Sequence, residues 1–419
     1  MGASGAAGAP SPAAAPVPVL FVHTGVDWIR GSERCLLDLV AGLDRRRFRP
    51  LLWCDTPTLA AAARDLGAEI EPADDRWARA AESLRPHAGL VERAREIVRR
   101  HGVRLVHANN PIPLKWMLPA ARAARIPTLV HMHLQTTADE RVFNGVHQAA
   151  LVVGVSRSAV AGLVEDGMPP SRVRVIYNGV DPARLGAGDA TGLRASLGVA
   201  PDEIVIGSVG TLIPIKGVDV LIRAFALLRA RAPRTRLLLV GGGRERDALA
   251  ALAASLGVGD AVHFLGERPD AGPIARDAVD VAASASRYEA FPLALLEAAL
   301  FGRAVVASAI PAHRESVVEG ETGLLAAPDD PAAFADALGA LVADPALRRR
   351  MGEAGRARVE REFLVGHYVA NFARAYEELL ARRASAYGWL RGSTFPPVYR
   401  RWIGGALRRR LRRPRGGAA

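Results

Sequence analysis

The sequence predicts an α/β protein of two doubly wound, Rossmann-like domains that face each other across a cleft. Short, nearly continuous apolar runs alternate with amphipathic helical stretches through most of the 419 residues, and such runs are typical of parallel strands covered by helices on both faces. The alternation starts again after a polar, glycine-rich segment at 181–202. Because this length exceeds one ordinary core and suits two, the pattern indicates a tandem pair of domains.

The first domain, at 17–180, is predicted from apolar runs separated by stretches with helical periodicity. The predicted strands are 18–23, 48–54, 104–108, 127–131, 151–155 and 173–177. The predicted helices are 32–43, 58–66, 78–100, 113–124 and 158–165. In a sheet of this kind, ligands are expected at the carboxyl ends of the strands.

The second domain, at 181–364, is predicted to repeat this architecture. Its predicted strands are 204–209, 236–240, 261–265, 279–283 and 304–308, and its predicted helices are 218–230, 245–255, 292–301, 331–343 and 345–361. A further helix within 365–384 is expected to return to the first domain and tie the two together. Two such domains in tandem leave an interdomain cleft, which is where we expect the ligand site.

Composition indicates the cellular environment. The two cysteines, Cys35 and Cys54, cannot make a disulfide framework, which favours a reducing, cytoplasmic location. No stretch approaches the roughly 18 consecutive apolar residues that a membrane span needs. Residues 1–16 are rich in Ala, Gly and Pro, and no lysine or arginine precedes Arg30, so we expect a disordered leader there.

Much of the excess positive charge, +12 at pH 7, lies near the C-terminus. Residues 385–419 interleave arginines with aromatic and aliphatic side chains, which predicts a basic amphipathic tail that attaches to an anionic membrane surface. A peripheral position on the inner face of the membrane would follow. Nucleic acid is the other electrostatic partner of such a tail, although we do not expect it, and a solvated disordered tail is the simplest alternative.

The stretch 284–297 combines the groups that a nucleotide sugar needs. Pro292 suits the first position of a helix, which would place Glu289 in the preceding turn and Glu297 about a turn and a half inside. The two carboxylates can then face one cleft and accept hydrogen bonds from sugar or ribose hydroxyls. A helix N-terminus in that cleft offers N–H groups and partial positive charge to phosphate. A capped surface helix is the alternative.

Two glycine-containing loops follow strands of the second domain. In 207–217, Gly210 and its neighbours let a ligand approach the backbone, and Lys216, one of only two lysines in the chain, can hold a diphosphate. A solvated lysine on an ordinary loop is the alternative, and the spacing of a P-loop is absent. The second run, 239–243, contains Gly242 and is equally compatible with a tight turn or with the wall of a nucleotide pocket.

The first domain offers candidates at the same strand ends. Gly31 would let a phosphate or sugar approach the start of the first helix, whereas Ser32 could be only an N-cap. The fourth predicted strand ends in His131 and His133, and the residue at which the strand stops decides which of them faces the cleft. A structural histidine is the alternative reading for either one. Residues 178–181, at the domain junction, indicate a hinge or merely a turn.

Taken together, these motifs resemble the retaining GT-B glycosyltransferases of family four, the glycosyl transferases group 1, over residues 17–383. The most specific segments are 286–298, 302–308 and 319–325. The resemblance implies that Glu297 holds the ribose hydroxyls, that Glu289 contacts the donor sugar, and that backbone amides around Phe291 and Leu293 contact the phosphates.

The resemblance also matches other residues to the site. It pairs Lys216 with the diphosphate lysine of the family, 178–181 with its junction motif, and His133 with its cleft histidine, His131 being the reserve. The candidate catalytic residues are therefore His133, Glu289 and Lys216. The candidate donor-binding residues are Gly31, Gly210, Thr211, Lys216, Gly242, Glu289, Phe291, Leu293 and Glu297.

The sequence departs from the family pattern at several positions. Thr211 stands where an arginine is usual, so one diphosphate contact is missing or supplied elsewhere. Arg30 precedes Gly31 where two adjacent glycines are usual. Pro292 removes one amide, and Leu134 stands where an aspartate commonly follows the cleft histidine. These changes bear on donor affinity and donor type, and they leave the predicted fold unaffected.

The resemblance implies a hexosyltransferase-type enzyme of glycan biosynthesis. It would move a sugar from a nucleoside diphosphate sugar, its co-substrate, to a glycan or lipid-linked acceptor with retention, without a metal or other cofactor. Glu289 and Glu297 would position the donor and not act as general acid or base. The alternatives are a nucleotide-sugar epimerase of the same fold and a non-catalytic, membrane-associated scaffold that binds nucleotide sugars, which Thr211 suggests.

Overall fold

The computed structural model describes residues 15–74, 76–77 and 88–382. The predictions for the leader up to residue 14, for the first half of the helix at 78–100 and for the basic tail at 385–419 lie outside this part of the chain.

Within the described residues, the first sheet has seven parallel strands in the order β3-β2-β1-β4-β5-β6-β7. Its strands are β1 (Val17–His23), β2 (Phe48–Cys54), β3 (Glu69–Glu71), β4 (Leu105–Ala108), β5 (Thr128–Met132), β6 (Leu151–Gly154) and β7 (Val173–Val175). Its helices are Gly31–Gly42, Pro57–Asp65, Ala88–His101, Leu114–Ala123, Ala138–Asn144 and Arg157–Glu165. The strand order reverses between β1 and β4, so the loops that follow these two strands open a crevice at the carboxyl edge.

The second sheet has six described parallel strands in the order β10-β9-β8-β11-β12-β13. Its strands are β8 (Ile204–Val209), β9 (Thr235–Val240), β10 (Val262–Gly266), β11 (Val281–Ser284), β12 (Ala304–Ser308) and β13 (Gly323–Ala326). Its helices are Pro182–Gly186, Leu193–Ser196, Val218–Arg231, Arg246–Ser255, Ala271–Asp277, Leu293–Leu300, Pro311–Ser316, Pro331–Ala343 and Pro345–Glu362. The predicted class of two doubly wound α/β domains is confirmed.

The sequence analysis missed the shortest elements. Strand β3 reads Glu-Ile-Glu and contains no apolar run, and β13 contains only two large apolar residues, Leu324 and Leu325. The helices Ala138–Asn144 and Ala271–Asp277 have seven residues each, which is about two turns and too short for a helical period to show. These elements form because neighbouring strands and helices supply their packing.

The helix Val365–Ala381 lies against the first domain. Its buried Tyr368, Phe372 and Tyr376 join the apolar cluster between the first sheet and the helix Gly31–Gly42. Tyr368 donates a hydrogen bond to the carbonyl of Cys35 (3.1 Å), and the Tyr376 hydroxyl lies 2.6 Å from Nδ1 of the buried His107. The end of the described chain is therefore part of the first domain's core.

The chain crosses between the domains twice, and the two crossings lie side by side. Val180 N–H donates to the carbonyl of Phe363 (2.8 Å), and Val365 N–H donates to the carbonyl of Val180 (2.9 Å). At Gly179 the approach is closest, because a Cβ there would lie 2.4 Å from the Cα of Val365. Only glycine fits this contact without moving the backbone of the second crossing.

We predict that Gly179→Ala lowers the free energy of unfolding by about 1–3 kcal/mol, the usual cost of forcing a methyl group into a packed site. Gly186→Ala is the matched control, since a Cβ at Gly186 meets nothing within 4 Å. Urea unfolding of both variants would measure the difference. Equal stability of the two variants would contradict the proposed tight crossing.

Candidate functional site

The carboxyl ends of the two sheets border one cleft with two adjoining cavities. The second-domain cavity, of about 590 Å³, lies over the loops that follow β8, β9 and β11. The first-domain cavity, of about 730 Å³, lies over the loops that follow β1, β4 and β5. Five residues line both cavities: Gly31, Lys216, Glu289, Phe291 and Leu293. A ligand in one cavity would therefore lie next to a ligand in the other.

The structure brings the predicted donor-binding residues together. The second-domain cavity is lined by all of them, namely Gly31, Gly210, Thr211, Lys216, Gly242, Glu289, Phe291, Leu293 and Glu297. An added Cβ at Gly31 or Gly210 would meet no atom within 4 Å, so the backbone at both positions is open to the cavity. The third candidate catalytic residue, His133, lines the first-domain cavity.

Lys216 and Glu289 form an ion pair where the two cavities meet. Lys216 Nζ lies 2.6 Å from Glu289 Oε1, which also accepts a hydrogen bond from Ser286 Oγ at 2.8 Å. Gly217, with φ of 60°, follows the lysine, and a Cβ there would lie 2.1 Å from the carbonyl oxygen of Ala285. The loop therefore needs glycine to hold Lys216 against the end of β11. The ammonium has three donors, so it can serve an anion as well as Glu289.

Glu297 lies in a cluster of charges that the sequence did not reveal. It is the fifth residue of the helix Leu293–Leu300 and lines the second-domain cavity. Burial raises its pKa; Asp38 of the first domain adds to this effect, while Arg184 and Arg34 oppose it. Burial also raises the pKa of Asp38, to about 6. The two domains thus bring two carboxylates and two guanidinium groups together beside the cavity.

Two details of the predicted helix starts are wrong. Pro292 is the N-cap, with φ −88° and ψ 75°, and the helix begins at Leu293. Leu293 N–H already donates to the carbonyl of Phe291 (3.1 Å), so a phosphate can use this amide only if that turn opens. Ser32 is not an N-cap either, because the helix begins at Gly31 with Arg30 as its cap.

A hydrogen bond to Asn109, which itself contacts His23, holds His133 in one neutral form. His23 Nε2 lies 3.1 Å from Glu33 Oε1, Asn109 Nδ2 lies 3.1 Å from His23 Nδ1, and His133 Nε2 lies 3.1 Å from Asn109 Oδ1. Because an amide oxygen only accepts, His133 Nε2 carries the proton and Nδ1 remains an acceptor. Burial, with the nearby His23, lowers the pKa of His133 to about 3. His133 is therefore uncharged at neutral pH.

The carboxylate of Glu33, beside His23, stays ionised. Burial would raise the pKa of Glu33, but its interactions with the nearby His23 and with Ser32 lower it to about 2. His131, by contrast, is fully buried and its ring packs 4.9 Å from that of Phe372. Since β5 ends at Met132, the structure places His133 at the cavity and His131 in the core.

Sequence reasoning missed several lining residues of the first-domain cavity, among them Asn109 and Asn110. They directly follow β4, so a rule that inspects every strand's carboxyl end would have found them. It also missed that Arg30 reaches the second domain.

In the described part of the chain, no group of three His, Cys, Asp or Glu side chains could hold a metal ion, and no helix is long and apolar enough to cross a membrane.

Comparison with known proteins matches each domain to a glycosyltransferase family model. Residues 29–184 match the family model described as Glycosyltransferase Family 4, and residues 189–358 match the model described as Glycosyl transferases group 1. The chain is 36% identical over 313 residues to D-inositol 3-phosphate glycosyltransferase from Actinosynnema mirum, a match that covers 72% of this chain and 70% of the relative.

Other relatives match over smaller shares of their length. The protein of the same name from Stackebrandtia nassauensis is 34% identical over 291 residues, which cover 64% of this chain and 65% of that protein. The match to the Nocardia farcinica protein, at 40% identity, covers 44% of this chain and 43% of the relative. The chain therefore spans between about half and two thirds of these two relatives.

Solved structures share the two-domain architecture. HepE from Anabaena, in complex with UDP and glucose, aligns with a TM-score of 0.73 at 25% identity, covering 86% of this chain and all of that chain. Sucrose-phosphate synthase from Thermosynechococcus elongatus aligns with a TM-score of 0.68 at 22% identity, over 87% of this chain and 99% of that one, which shows the fold. Because the matches extend over both domains and the cleft between them, this chain belongs to the family 4 glycosyltransferases of the GT-B fold.

Proposed function

We propose that this protein transfers a sugar from a nucleoside diphosphate sugar to a hydroxyl group of an acceptor, with retention of configuration at the anomeric carbon. The observation that carries the proposal is the meeting of the two cavities at Lys216 and Glu289. A cation and a carboxylate at that point suit the diphosphate and the sugar of a donor in the second-domain cavity. The first-domain cavity would then hold the acceptor next to the anomeric carbon.

The donor would be held by opposite charge and by hydroxyl recognition. Lys216 would bind the diphosphate, Glu289 would accept hydrogen bonds from the sugar, and Glu297 would accept them from the ribose. The glycine-lined wall around Gly210 and Gly242 lets a nucleotide lie against backbone groups. HepE was solved with UDP, so a UDP-sugar is the first donor to test.

The sugar-transfer step then requires stabilisation of the leaving group. The bond from the anomeric carbon to the diphosphate oxygen breaks, and the acceptor oxygen forms its bond on the same face of the sugar. The acceptor's proton passes to the departing diphosphate oxygen. Lys216 would stabilise the negative charge that develops there. Neither Glu289 nor Glu297 is needed as a general acid or base, and the absence of a metal from this scheme stays a prediction.

The acceptor-side groups suit neutral hydroxyls. Neutral His133 presents Nδ1 as a hydrogen-bond acceptor, and Asn109 and Asn110 add amide groups around the same cavity. Among its described lining residues, Lys216 is the only lysine or arginine, whereas Glu33 and Glu140 add negative charge. A glycan or the sugar of a lipid-linked acceptor fits this lining better than the phosphorylated inositol in the relatives' name. Both classes belong in the acceptor panel.

We predict that Lys216→Ala and Glu297→Ala each lower kcat/KM for the donor by roughly 10²–10³-fold, the usual effect of removing one group that stabilises developing charge or holds the substrate. A thermal-shift screen of nucleoside diphosphate sugars would first identify the donor. The rate at which UDP is released from UDP-glucose would then measure the loss of kcat/KM. Arg350→Ala, at an exposed position of the helix Pro345–Glu362, is the control for loss of a surface charge. Wild-type rates in both site variants would refute the site.

We predict retention, which the same assay can test once an acceptor is found. With an α-linked donor, the anomeric proton of the product should show the small coupling of an α-glycoside by ¹H NMR. A β-linked product would contradict retention while leaving transfer intact. Conversion of the donor to its epimer without acceptor would favour the epimerase alternative, and tight binding without turnover would favour the scaffold.

The tail at 385–419 is proposed to hold the enzyme at an anionic membrane, where a lipid-linked acceptor would be found. We predict that removal of 385–419 abolishes sedimentation with vesicles containing phosphatidylglycerol, because the cluster of arginines supplies the attraction. Replacing the arginines at 408–415 with glutamine in the full chain should weaken vesicle binding in the same way, because it removes the charge and keeps the length of the tail. Unchanged vesicle binding by the truncated protein would refute the tail's role.

A further inference from the structure

Arg30 extends from the first domain into the second-domain cavity. It follows the loop after β1 and caps the helix Gly31–Gly42. Its Nη1 donates to Thr211 Oγ1 (3.1 Å) and its Nη2 to Glu267 Oε1 (3.2 Å), both residues of the second domain. The guanidinium carbon lies 4.2 Å from the centre of the Trp28 ring, which supports the side chain without using its N–H groups.

We infer that Arg30 binds the diphosphate of the donor from the first-domain side of the cleft, opposite Lys216. The inference rests on the proposed function. It adds a second cation, Arg30, to the residues that would bind the donor. Its contact with Thr211 places the guanidinium directly over the loop 207–217, which also carries Lys216. The two cations therefore line the same cavity from different domains.

The present partners of Arg30 are easily exchanged. Thr211 offers a neutral hydroxyl, and the Glu267 side chain is 72% exposed while that of Arg30 is 41% exposed. Ion pairs this exposed contribute little to stability. A diphosphate offers several charged oxygens that a planar guanidinium can contact with two N–H groups at once. Transfer of Arg30 from Glu267 to the ligand therefore loses little and gains a charge-assisted contact.

The charge balance of the cavity leaves this role open for Arg30. Each phosphate of the donor is negative, and Lys216 already shares its charge with Glu289. Of the other described arginines of the lining, Arg268 contacts Asp270 at 2.6 and 2.7 Å, and the charge of Arg34 acts on Glu297 and Asp38. Because Arg30 belongs to the first domain, its contact with the ligand would also couple donor binding to the approach of the two domains.

The test compares nucleotide affinity in Arg30→Ala, Arg30→Lys and Glu267→Ala by isothermal titration calorimetry of the full chain. UDP, GDP and ADP are screened first, and the tightest is compared with its nucleoside. Arg30→Ala should weaken the nucleoside diphosphate by roughly tenfold to a hundredfold, the usual range for a hydrogen bond to a charged group. The nucleoside should bind as before, and Arg30→Lys should fall between wild type and Arg30→Ala.

The Glu267→Ala variant distinguishes a ligand-binding role of Arg30 from a purely structural role, in which Arg30 only joins the two domains. If Arg30 binds the diphosphate, Glu267→Ala should leave affinity unchanged or strengthen it, because the guanidinium is released from its partner. Equal weakening in Glu267→Ala and Arg30→Ala would overturn the inference, as would wild-type diphosphate affinity in Arg30→Ala. If no nucleoside diphosphate binds the wild-type protein, the proposed function itself is refuted, and with it the inferred role of Arg30 in diphosphate binding.

Discussion

Two backbone hydrogen bonds at Val180 hold the two crossings of the chain side by side, and the geometry of the cleft depends on them. They fix where the second domain starts and where the chain returns to the first. The returning helix Val365–Ala381 then contributes Tyr368, Phe372 and Tyr376 to the first domain's core. The domains are therefore joined through packing as well as through a linker, which is how loops far apart in sequence come to border the same cavities.

Charges in the cleft are paired before any ligand arrives. Lys216 pairs with Glu289, Arg30 with Glu267, and Glu297 lies among the arginines that oppose the rise of its pKa. Burying an unpaired charge is costly, so such pairing is what a partly buried site requires. Binding of a nucleotide sugar would then be an exchange of partners, in which phosphates replace carboxylates around cations and hydroxyls replace cations around carboxylates.

The first-domain cavity follows the opposite principle, since its histidine His133 is kept neutral. The hydrogen bond to Asn109, which contacts His23, fixes the tautomer of His133, and burial keeps the ring uncharged. A neutral ring with a free acceptor nitrogen suits an incoming hydroxyl group. The two cavities thus differ in charge: three arginines line the second-domain cavity, whereas no arginine is among the described lining residues of the first-domain cavity, and the two meet at Lys216 and Glu289.

The sequence alone determined the two doubly wound domains and which loops line the second-domain cavity, because apolar runs mark strands and ligand loops follow strand ends. Strand β3 escaped it, since three residues with a single apolar side chain form no apolar run. The choice of His133 over His131 depended on the end of β5. The tertiary structure alone decided the reach of Arg30 to Thr211 and the gathering of Asp38, Arg184 and Glu297, because contacts across a cleft depend on how the domains pack and leave no local pattern.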